Sequence, residues 1–196
     1  MLVFKFGGAS VKDAAGVINL ADIVRKYGHE QLLIVVSAMG KTTNALEKLA
    51  RAYYNRAGDV HETFDEVKQY HYQIISQLFK AGHPVYNEVN NTFVEIDWMI
   101  EDEPQDDFDF IYDQIVSIGE MVATRIVDAY LNLQDIKSTW LDVRGYIHTD
   151  NTYREGLVGM DKSCADIQQN IPAMLQKGVV VTQGFLGRSE ERRVGK

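Results

Sequence analysis

The sequence contains one cysteine, three prolines and no long uninterrupted run of apolar residues. Because Cys164 stands alone, an intrachain disulfide is impossible, and a reducing compartment is the simplest expectation. No segment approaches the roughly 20 consecutive apolar residues that a membrane-spanning helix needs. The first residues also lack the basic region and apolar stretch of a signal peptide. The sequence therefore predicts a cytoplasmic protein with no membrane partner.

Positive charge and metal-binding patterns are also scarce. The chain has 20 Lys and Arg against 28 Asp and Glu, a formal net charge of −8. Binding to a nucleic-acid backbone needs a basic face, so no nucleic-acid partner is expected. The five histidines are not spaced as metal ligands, and His71 lies on an apolar helical stripe, which is typical of a hydrogen-bonded core residue. No metal site formed by protein residues is predicted.

The pattern of apolar residues predicts alternating strands and helices. At 196 residues the chain is long enough for one domain with a substantial core. Residues 2–6 and 32–36 favour strands, and the helical spacing between them predicts a helix that ends at Gly28. Together these elements indicate a right-handed βαβ unit. Three helices are expected across about 42–102, followed by a central helix at 112–133 with apolar residues on two sides.

A strand at 139–143, a helix at 161–176 interrupted by Pro172 and a strand at 179–183 complete this pattern. The alternation favours the α/β class, a three-layer α/β/α sandwich with a mainly parallel sheet. Residues 188–196 have charges but no apolar periodicity. We therefore expect a folded region at 1–187 and a divergent, unstructured tail at 188–196.

Two segments near the start each run from a strand through a turn of small residues into a helix. They are KFGGASV at 5–11 and VVSAMGKTTN at 35–44. Gly7 and Gly8 have no Cβ, so a ligand can approach their backbone closely, and the N–H groups of the following helix point at an anion. Lys5 adds a positive charge beside them. These features predict a phosphate-binding site.

Two serines and a short GKT sequence in the same turns allow more than one interpretation. Ser10 and Ser37 could donate hydrogen bonds to phosphate or cap the following helices. The GKT sequence at 40–42 is similar to the end of a Walker A loop. Since Val35 stands where that loop begins with glycine, no Walker A loop is predicted.

Five groups of residues in register resemble aspartate kinases, which belong to the amino-acid kinase superfamily. They are the segments at 5–11 and 35–44, SIGE at 117–120, LDVR at 141–144 with TD at 149–150, and VTQGFLG at 181–187. The resemblance covers residues 1–187 and implies the amino-acid kinase fold. The Gly-Arg-Gly-Gly-Ser-Asp segment that follows in those kinases does not occur in these 196 residues. We therefore expect an incomplete kinase domain without turnover of its own.

The resemblance also implies a reaction and a set of site residues. The reaction is transfer of the γ-phosphoryl group of ATP to the β-carboxylate of L-aspartate, with Mg²⁺ as a cofactor, in lysine, threonine and methionine biosynthesis. The full-length enzyme is a candidate homo-oligomer. The implied residues are Lys5 as the catalytic charge neutraliser and an ATP contact, Gly7, Gly8 and Ser10 at the phosphates, and Ser37, Thr43, Glu120 and Phe185 at the aspartate.

Glu120 is the strongest substrate candidate, because an ionised carboxylate on a helix that is apolar on two sides needs a cation. The resemblance implies that the α-amino group of aspartate is this cation. A structural ion pair with Arg125 or Arg144 is the alternative. Lys5 could likewise be a solvated lysine at a strand end, and Phe185 could be a core residue.

Two other functions remain open at this point. Another amino-acid kinase, acting on acetylglutamate, glutamate, carbamate or UMP, would share the strand, glycine turn and helix at the start of the chain. A non-catalytic protein could keep only substrate binding or a subunit interface. The combination of the Ser-Ala and Thr-Asn residues in the second turn with the helical Gly-Glu pair favours the aspartate kinase.

Overall fold

Four parallel strands form the centre of the protein. The structure, a computed structural model, describes residues 1–27 and 31–189. From one edge of the sheet to the other the strands are β1 (Leu2–Phe6), β2 (Leu32–Val36), β5 (Val179–Gln183) and β3 (Ser138–Leu141). Phe6 pairs with Val36, and Val36 with Gln183, while Leu141 pairs with Thr182. The carboxyl ends of all four strands therefore lie along one edge.

The helices that the described residues form cover both faces of this sheet. They are α1 (Ala14–Tyr27), α2 (Thr42–Tyr54), α3 (Val60–Leu78), α4 (Val85–Glu101), α5 (Phe108–Leu133) and α6 (Met160–Leu175). None of them is long and apolar enough to cross a membrane. Gly28, where the sequence predicts the end of α1, lies outside the described residues, and α1 is described to Tyr27.

Alternate residues of the inner strands face two separate apolar clusters. Val179 and Val181 belong to the large cluster, which contains residues from α1 to α5. Val180 belongs to a smaller cluster with Ile171 and Leu175 of α6. Because successive side chains of a strand point to opposite faces, the sheet lies between two helical layers. The predicted three-layer α/β/α sandwich is confirmed.

The two helices predicted least accurately are α5 and α6. α5 begins at Phe108 rather than at residue 112, since Ile111 is already buried and the acidic residues before it do not prevent a helical turn. α6 continues through Pro172, so the predicted interruption is wrong. Proline has no N–H to donate to the carbonyl of Gln168, four residues earlier. Since Pro172 and Gln168 are exposed, water can donate to that carbonyl instead.

The end of the described chain forms a second, small sheet. β4 (His148–Thr149) pairs in parallel with β6 (Arg188–Ser189), and the Arg188 N–H donates to the Ile147 carbonyl at 2.9 Å. The prediction that the tail is unstructured from residue 188 is therefore wrong for these two residues, because backbone pairing needs no apolar periodicity. Residues 190–196, the rest of the predicted tail, lie outside the described residues.

Candidate active site

The two turns that the sequence predicts as phosphate sites touch each other at the carboxyl ends of β1 and β2. The Gly40 N–H donates to the Gly8 carbonyl at 2.9 Å, and the Ser37 N–H donates to the Phe6 carbonyl at 3.0 Å. A Cβ at Gly8 would lie 2.5 Å from the Ala38 carbonyl oxygen. Only glycine allows this approach without a backbone shift. The two turns therefore form one continuous backbone surface.

Lys5 lies beside this surface, and its ammonium forms no ion pair with a carboxylate that the structure describes. The residue is exposed near the end of β1. Its Nζ lies 3.8 Å from the point where a Gly7 Cβ would stand and 6.0 Å from the centre of the Phe185 ring. Among the described ion pairs, none within 4 Å includes Lys5. A compact positive charge next to an open glycine turn suits a phosphate group.

The two candidate serines do not cap the helices that follow them. Asp13 caps α1 instead, since its side chain accepts the Gly16 N–H at 2.8 Å, and the residue before α2 is Lys41. Ser10 is exposed in the turn after Gly8. The Ser37 hydroxyl is buried and has no hydrogen-bond partner among residues 1–27 and 31–189. A buried hydroxyl without a protein partner is unusual, and such a group can bond to water or to a ligand.

The Glu120 carboxylate lies behind the second turn and is 6% exposed. Burial raises its pKa, and the backbone N–H groups of Ala38 and Glu120 itself partly oppose this rise. Arg125 lies near Glu88 at 3.8 Å, and Arg144 pairs with Asp142 at 2.8 Å. Neither arginine is the partner of Glu120, so the alternative of a structural ion pair with either of them is wrong. Within the described residues, no cation lies within 4 Å of this carboxylate.

Phe185 follows the end of β5 in an unusual conformation. Its side chain is 91% exposed, so the interpretation as a core residue is wrong. Its φ of +60° lies in the left-handed region, which a bulky residue rarely occupies. The preceding residue, Gly184, donates its N–H to the Val36 carbonyl at 3.4 Å. An exposed ring near Lys5 on a strained backbone is a candidate wall of the site.

Two residues explain how α2 and α5 approach the turns so closely. A Cβ at Gly119 would lie 3.0 Å from the Ala38 Cβ and 3.2 Å from the Thr42 Cγ2, so glycine lets α5 press against the second turn. Thr42 is buried, and its hydroxyl donates to the Met39 carbonyl at 2.6 Å. Thr43, the predicted substrate residue, is half-buried in the first turn of α2.

Sequence reasoning missed two buried polar residues beside the site. Thr124 is fully buried on α5, and Gln183 is 2% exposed at the end of β5. Each of these two polar residues stands within an apolar segment of the sequence. This pattern indicates a buried hydrogen bond, because polar side chains are rarely buried without a partner. Asp142 and Arg144 pair after β3 through three hydrogen bonds from the Arg144 Nε and Nη2 at 2.8–3.1 Å.

The described residues offer no ready metal site. No group of three or more His, Cys, Asp or Glu side chains among them could hold a metal ion. His71 is buried, its Nδ1 donates to the Val67 carbonyl at 2.8 Å, and burial lowers its pKa to about 4. The interpretation of His71 as a core residue is confirmed. The groups at the turns, which are backbone N–H groups and an ammonium, suit an anion rather than a cation.

Comparison with known proteins identifies relatives with named activities. Lysine-sensitive aspartokinase 3 of Escherichia coli strain K12 is 26% identical over 193 residues, which are 98% of this chain and 42% of the relative. Aspartokinase 1, chloroplastic, of Arabidopsis thaliana is 29% identical over 195 residues, 95% of this chain and 33% of the relative. The chain thus spans less than half the length of these curated relatives.

A solved structure of similar fold extends this likeness to three dimensions. The crystal structure of E. coli aspartokinase III in complex with aspartate and ADP (R-state) superposes with a TM-score of 0.87 at 26% identity, over 96% of this chain and 41% of that one. The sequence profile described as the amino acid kinase family matches residues 1–196. With a parallel sheet, paired glycine turns and a profile match along its whole length, the chain belongs to the amino acid kinase family.

Proposed function

We propose that the complete polypeptide carrying this sequence is an aspartate kinase. It transfers the γ-phosphoryl group of ATP to the β-carboxylate of L-aspartate and releases ADP and 4-phospho-L-aspartate. The likeness to aspartokinases along nearly the whole chain supports this proposal. So does the crystal structure of the E. coli relative in complex with aspartate and ADP.

The observation that carries the proposal is the buried carboxylate of Glu120. Its pKa is raised by burial, and the two arginines considered as its partners, Arg125 and Arg144, lie against other carboxylates. The α-ammonium group of an amino acid would supply the missing positive charge and favour the ionised carboxylate. Acetylglutamate, carbamate and UMP have no α-ammonium group, so this feature favours a free amino acid as the phosphoryl acceptor.

The phosphate side of the proposed site consists of Lys5, Gly7, Gly8 and Ser10. Phosphoryl transfer depends mainly on positioning and on neutralising the charge of the moving group. Lys5 neutralises charge on the transferring phosphoryl group. The missing Cβ of Gly7 leaves room for the phosphates, and the missing Cβ of Gly8 lets the second turn come close. The Gly8 backbone and the exposed Ser10 hydroxyl contact the phosphates from the same turn.

The aspartate side consists of Ser37, Thr43, Glu120 and Phe185. Glu120 binds the α-ammonium group. The buried Ser37 hydroxyl, which has no partner in the described part of the chain, donates to an oxygen at the reacting end. Thr43 contacts the amino acid from the first turn of α2. The exposed Phe185 ring covers the pocket from the end of β5 and limits access of water.

Mg²⁺ would be held chiefly by the ATP phosphates in this proposal and would neutralise their charge. This ion keeps several water ligands and needs only one or two protein carboxylates, while the described residues supply no acidic cluster for it. The same proposal implies a cytoplasmic enzyme of lysine, threonine and methionine biosynthesis, active as a homo-oligomer. No nucleic-acid or membrane partner is part of it.

The test is aspartate-dependent ADP release by the complete polypeptide and by three lysine variants. Lys5→Ala should lower kcat by about 100-fold or more, since it removes a charge that stabilises the transferring group. Lys5→Arg should recover only part of this loss, because a planar guanidinium presents its charge differently. Lys26→Ala is the matched control, since Lys26 is exposed in the last turn of α1, away from the carboxyl ends of the strands.

Two outcomes would contradict the proposal in different ways. If the unmodified polypeptide phosphorylates acetylglutamate, glutamate, carbamate or UMP and not aspartate, the proposed acceptor is wrong. If aspartate is phosphorylated and Lys5→Ala keeps near-normal kcat, the acceptor stands and Lys5 is a solvated lysine without a catalytic role.

A further inference from the structure

A single buried hydroxyl group links α5 to the ends of two strands. The Thr124 Oγ1 accepts one hydrogen bond from the Trp140 Nε1 at 2.9 Å and another from the Gln183 Nε2 at 2.9 Å. It lies 2.9 Å from the Glu120 carbonyl and 3.0 Å from the Met121 carbonyl. We call Thr124, Trp140 and Gln183 the Thr124 junction.

The direction of each hydrogen bond in the junction follows from the chemistry of the groups. An indole N–H only donates, so Trp140 uses one lone pair of the Thr124 hydroxyl. The Gln183 Oε1 accepts the Val143 N–H at 2.9 Å, which leaves the amide nitrogen of Gln183 to donate to Thr124. With both lone pairs used, the hydroxyl proton can only go to the carbonyl of Glu120 or Met121. Each of the three side chains thereby has at least one hydrogen-bond partner inside the junction.

The junction joins the two proposed walls of the amino acid pocket. Glu120 precedes Thr124 by one helical turn on α5. Gln183 is the last residue of β5, and Phe185 follows it two residues later. The other side of this helical turn is already fixed by the contact between Gly119 and Ala38. The Thr124 hydroxyl therefore sets the separation between the backbone of Glu120 and the strand end that carries Phe185.

We propose that Thr124 and Gln183 are positioning residues for the amino acid substrate. Neither is assigned a contact with the substrate; they hold Glu120 and Phe185 at the spacing that the substrate requires. This inference rests on the proposed function for the identity of the substrate, because the roles of Glu120 and Phe185 come from it. It adds that amino acid binding depends on a hydroxyl group behind the pocket, whereas ATP binding does not.

The decisive variant is Thr124→Val, which keeps the shape of the side chain and removes the hydroxyl. In the complete polypeptide it should raise KM for aspartate about 10-fold or more, because misplacing a substrate-binding group by a fraction of an ångström weakens binding strongly. KM for ATP should stay within about twofold. Thr124→Ser keeps the hydroxyl and should restore KM for aspartate to near the unmodified value.

Thr92→Val provides the matched control for loss of a buried threonine hydroxyl. Thr92 is buried on α4, and its hydroxyl donates to the Glu88 carbonyl four residues earlier at 2.9 Å, as expected for a purely local hydrogen bond. This variant should leave both KM values unchanged. Gln183→Met serves as a second test that keeps the Thr124 hydroxyl, and it should also raise KM for aspartate selectively.

Hydrogen exchange of the Trp140 indole N–H checks the junction without any activity. Exchange should be slow in the unmodified polypeptide and in Thr124→Ser, and faster in Thr124→Val. A folded Thr124→Val with unchanged KM for aspartate overturns the proposal, as does an equal rise of both KM values. If Thr124→Val fails to fold, a folded Gln183→Met with unchanged KM for aspartate overturns it. Failure of the proposed function is distinct, since the unmodified polypeptide would then release no ADP with aspartate.

Discussion

Glu120 illustrates at the scale of one residue how a buried carboxylate can point to a ligand. Asp128, further along α5, is also a carboxyl whose pKa is raised by burial, but it accepts a hydrogen bond from the Ser138 hydroxyl at 2.6 Å. The positive charge of Arg125 also lowers the pKa of Asp128, so this carboxyl has a cation of the protein nearby. For Glu120 the described side chains provide no cation, and this difference separates a structural carboxylate from one that awaits a substrate.

Replacing Glu120 by Gln keeps the size of the side chain and removes its charge. In the complete polypeptide we expect KM for aspartate to rise roughly 10-fold or more, the scale of one lost charge-assisted hydrogen bond. KM for ATP should change little, because the carboxylate lies on α5 behind the second turn. Steady-state kinetics with each substrate varied in turn measures both values.

Asp128→Asn is the control for this variant, since it removes a buried charge from the same helix. This control variant should change the free energy of unfolding and leave KM for aspartate and KM for ATP nearly unchanged. An unchanged KM for aspartate in a folded Glu120→Gln would make Glu120 a structural residue and remove the strongest member of the proposed substrate side.

At the scale of whole elements, the turn after β1 contains two glycines, Gly7 and Gly8, with different roles. Gly7 has open space where a side chain would project, with the Lys5 Nζ as its neighbour at 3.8 Å. Gly8 faces backbone, with the Ala38 carbonyl at 2.5 Å and the Gly40 carbonyl at 3.0 Å from an added Cβ. Gly7 thus keeps the ligand side open, and Gly8 allows the two turns to meet.

This difference predicts opposite results for two alanine substitutions. Gly8→Ala should lower the free energy of unfolding by about 1 to 3 kcal/mol, because backbone must shift to admit the methyl group. Gly7→Ala should leave it nearly unchanged, since Gly7 has a φ of −74° that alanine adopts readily. Urea denaturation of both variants measures the two values. Equal losses of stability would contradict the assigned close approach at Gly8.

Titration of His71 affects the stability of the whole molecule. The imidazole lies in α3 between the rings of Tyr70 and Phe93, at 5.0 and 5.6 Å, with the Thr42 hydroxyl 3.4 Å from its Nε2. Burial lowers its pKa from 6.5 to about 4 in the folded protein. Between these two values the unfolded chain binds the proton more readily, so stability is lost as pH falls from 6.5 towards 4.

The interval between the two pKa values sets the size of this effect. About 2.5 pH units at about 1.4 kcal/mol each correspond to a loss of roughly 3 to 4 kcal/mol. His71→Gln should reduce this dependence on pH, because an amide takes up no proton in this range. Urea denaturation between pH 4 and pH 7 measures the slope.

His61→Gln is the control for the pH experiment, since His61 is exposed near the start of the same helix. This variant should keep the slope of the unmodified protein. Parallel curves for His71→Gln and the unmodified protein would assign the acid sensitivity to other groups.

The sequence by itself determined most of the secondary structure and the composition of the first glycine turn. Alternating apolar segments predicted the parallel sheet and the helical layers, because a strand buried on both faces and an amphipathic helix each have a characteristic period. Local spacing likewise predicted that Lys5, Gly7 and Gly8 lie at one turn. It could not predict that α6 passes through Pro172 or that Arg188 joins a strand, since solvent and backbone pairing decide these features.

Only the tertiary structure decided which residues far apart in the chain meet. Gly8 touches Gly40, Gly119 presses on Ala38, and Thr124 joins Gln183 across 59 positions of sequence. It also excluded the arginine partners proposed for Glu120. Such contacts depend on how the sheet and helices pack, and a local pattern of side chains contains no information about the distance between two elements. The periodicity of the sequence therefore specified the elements, whereas their packing against the carboxyl edge of the sheet brought the site together.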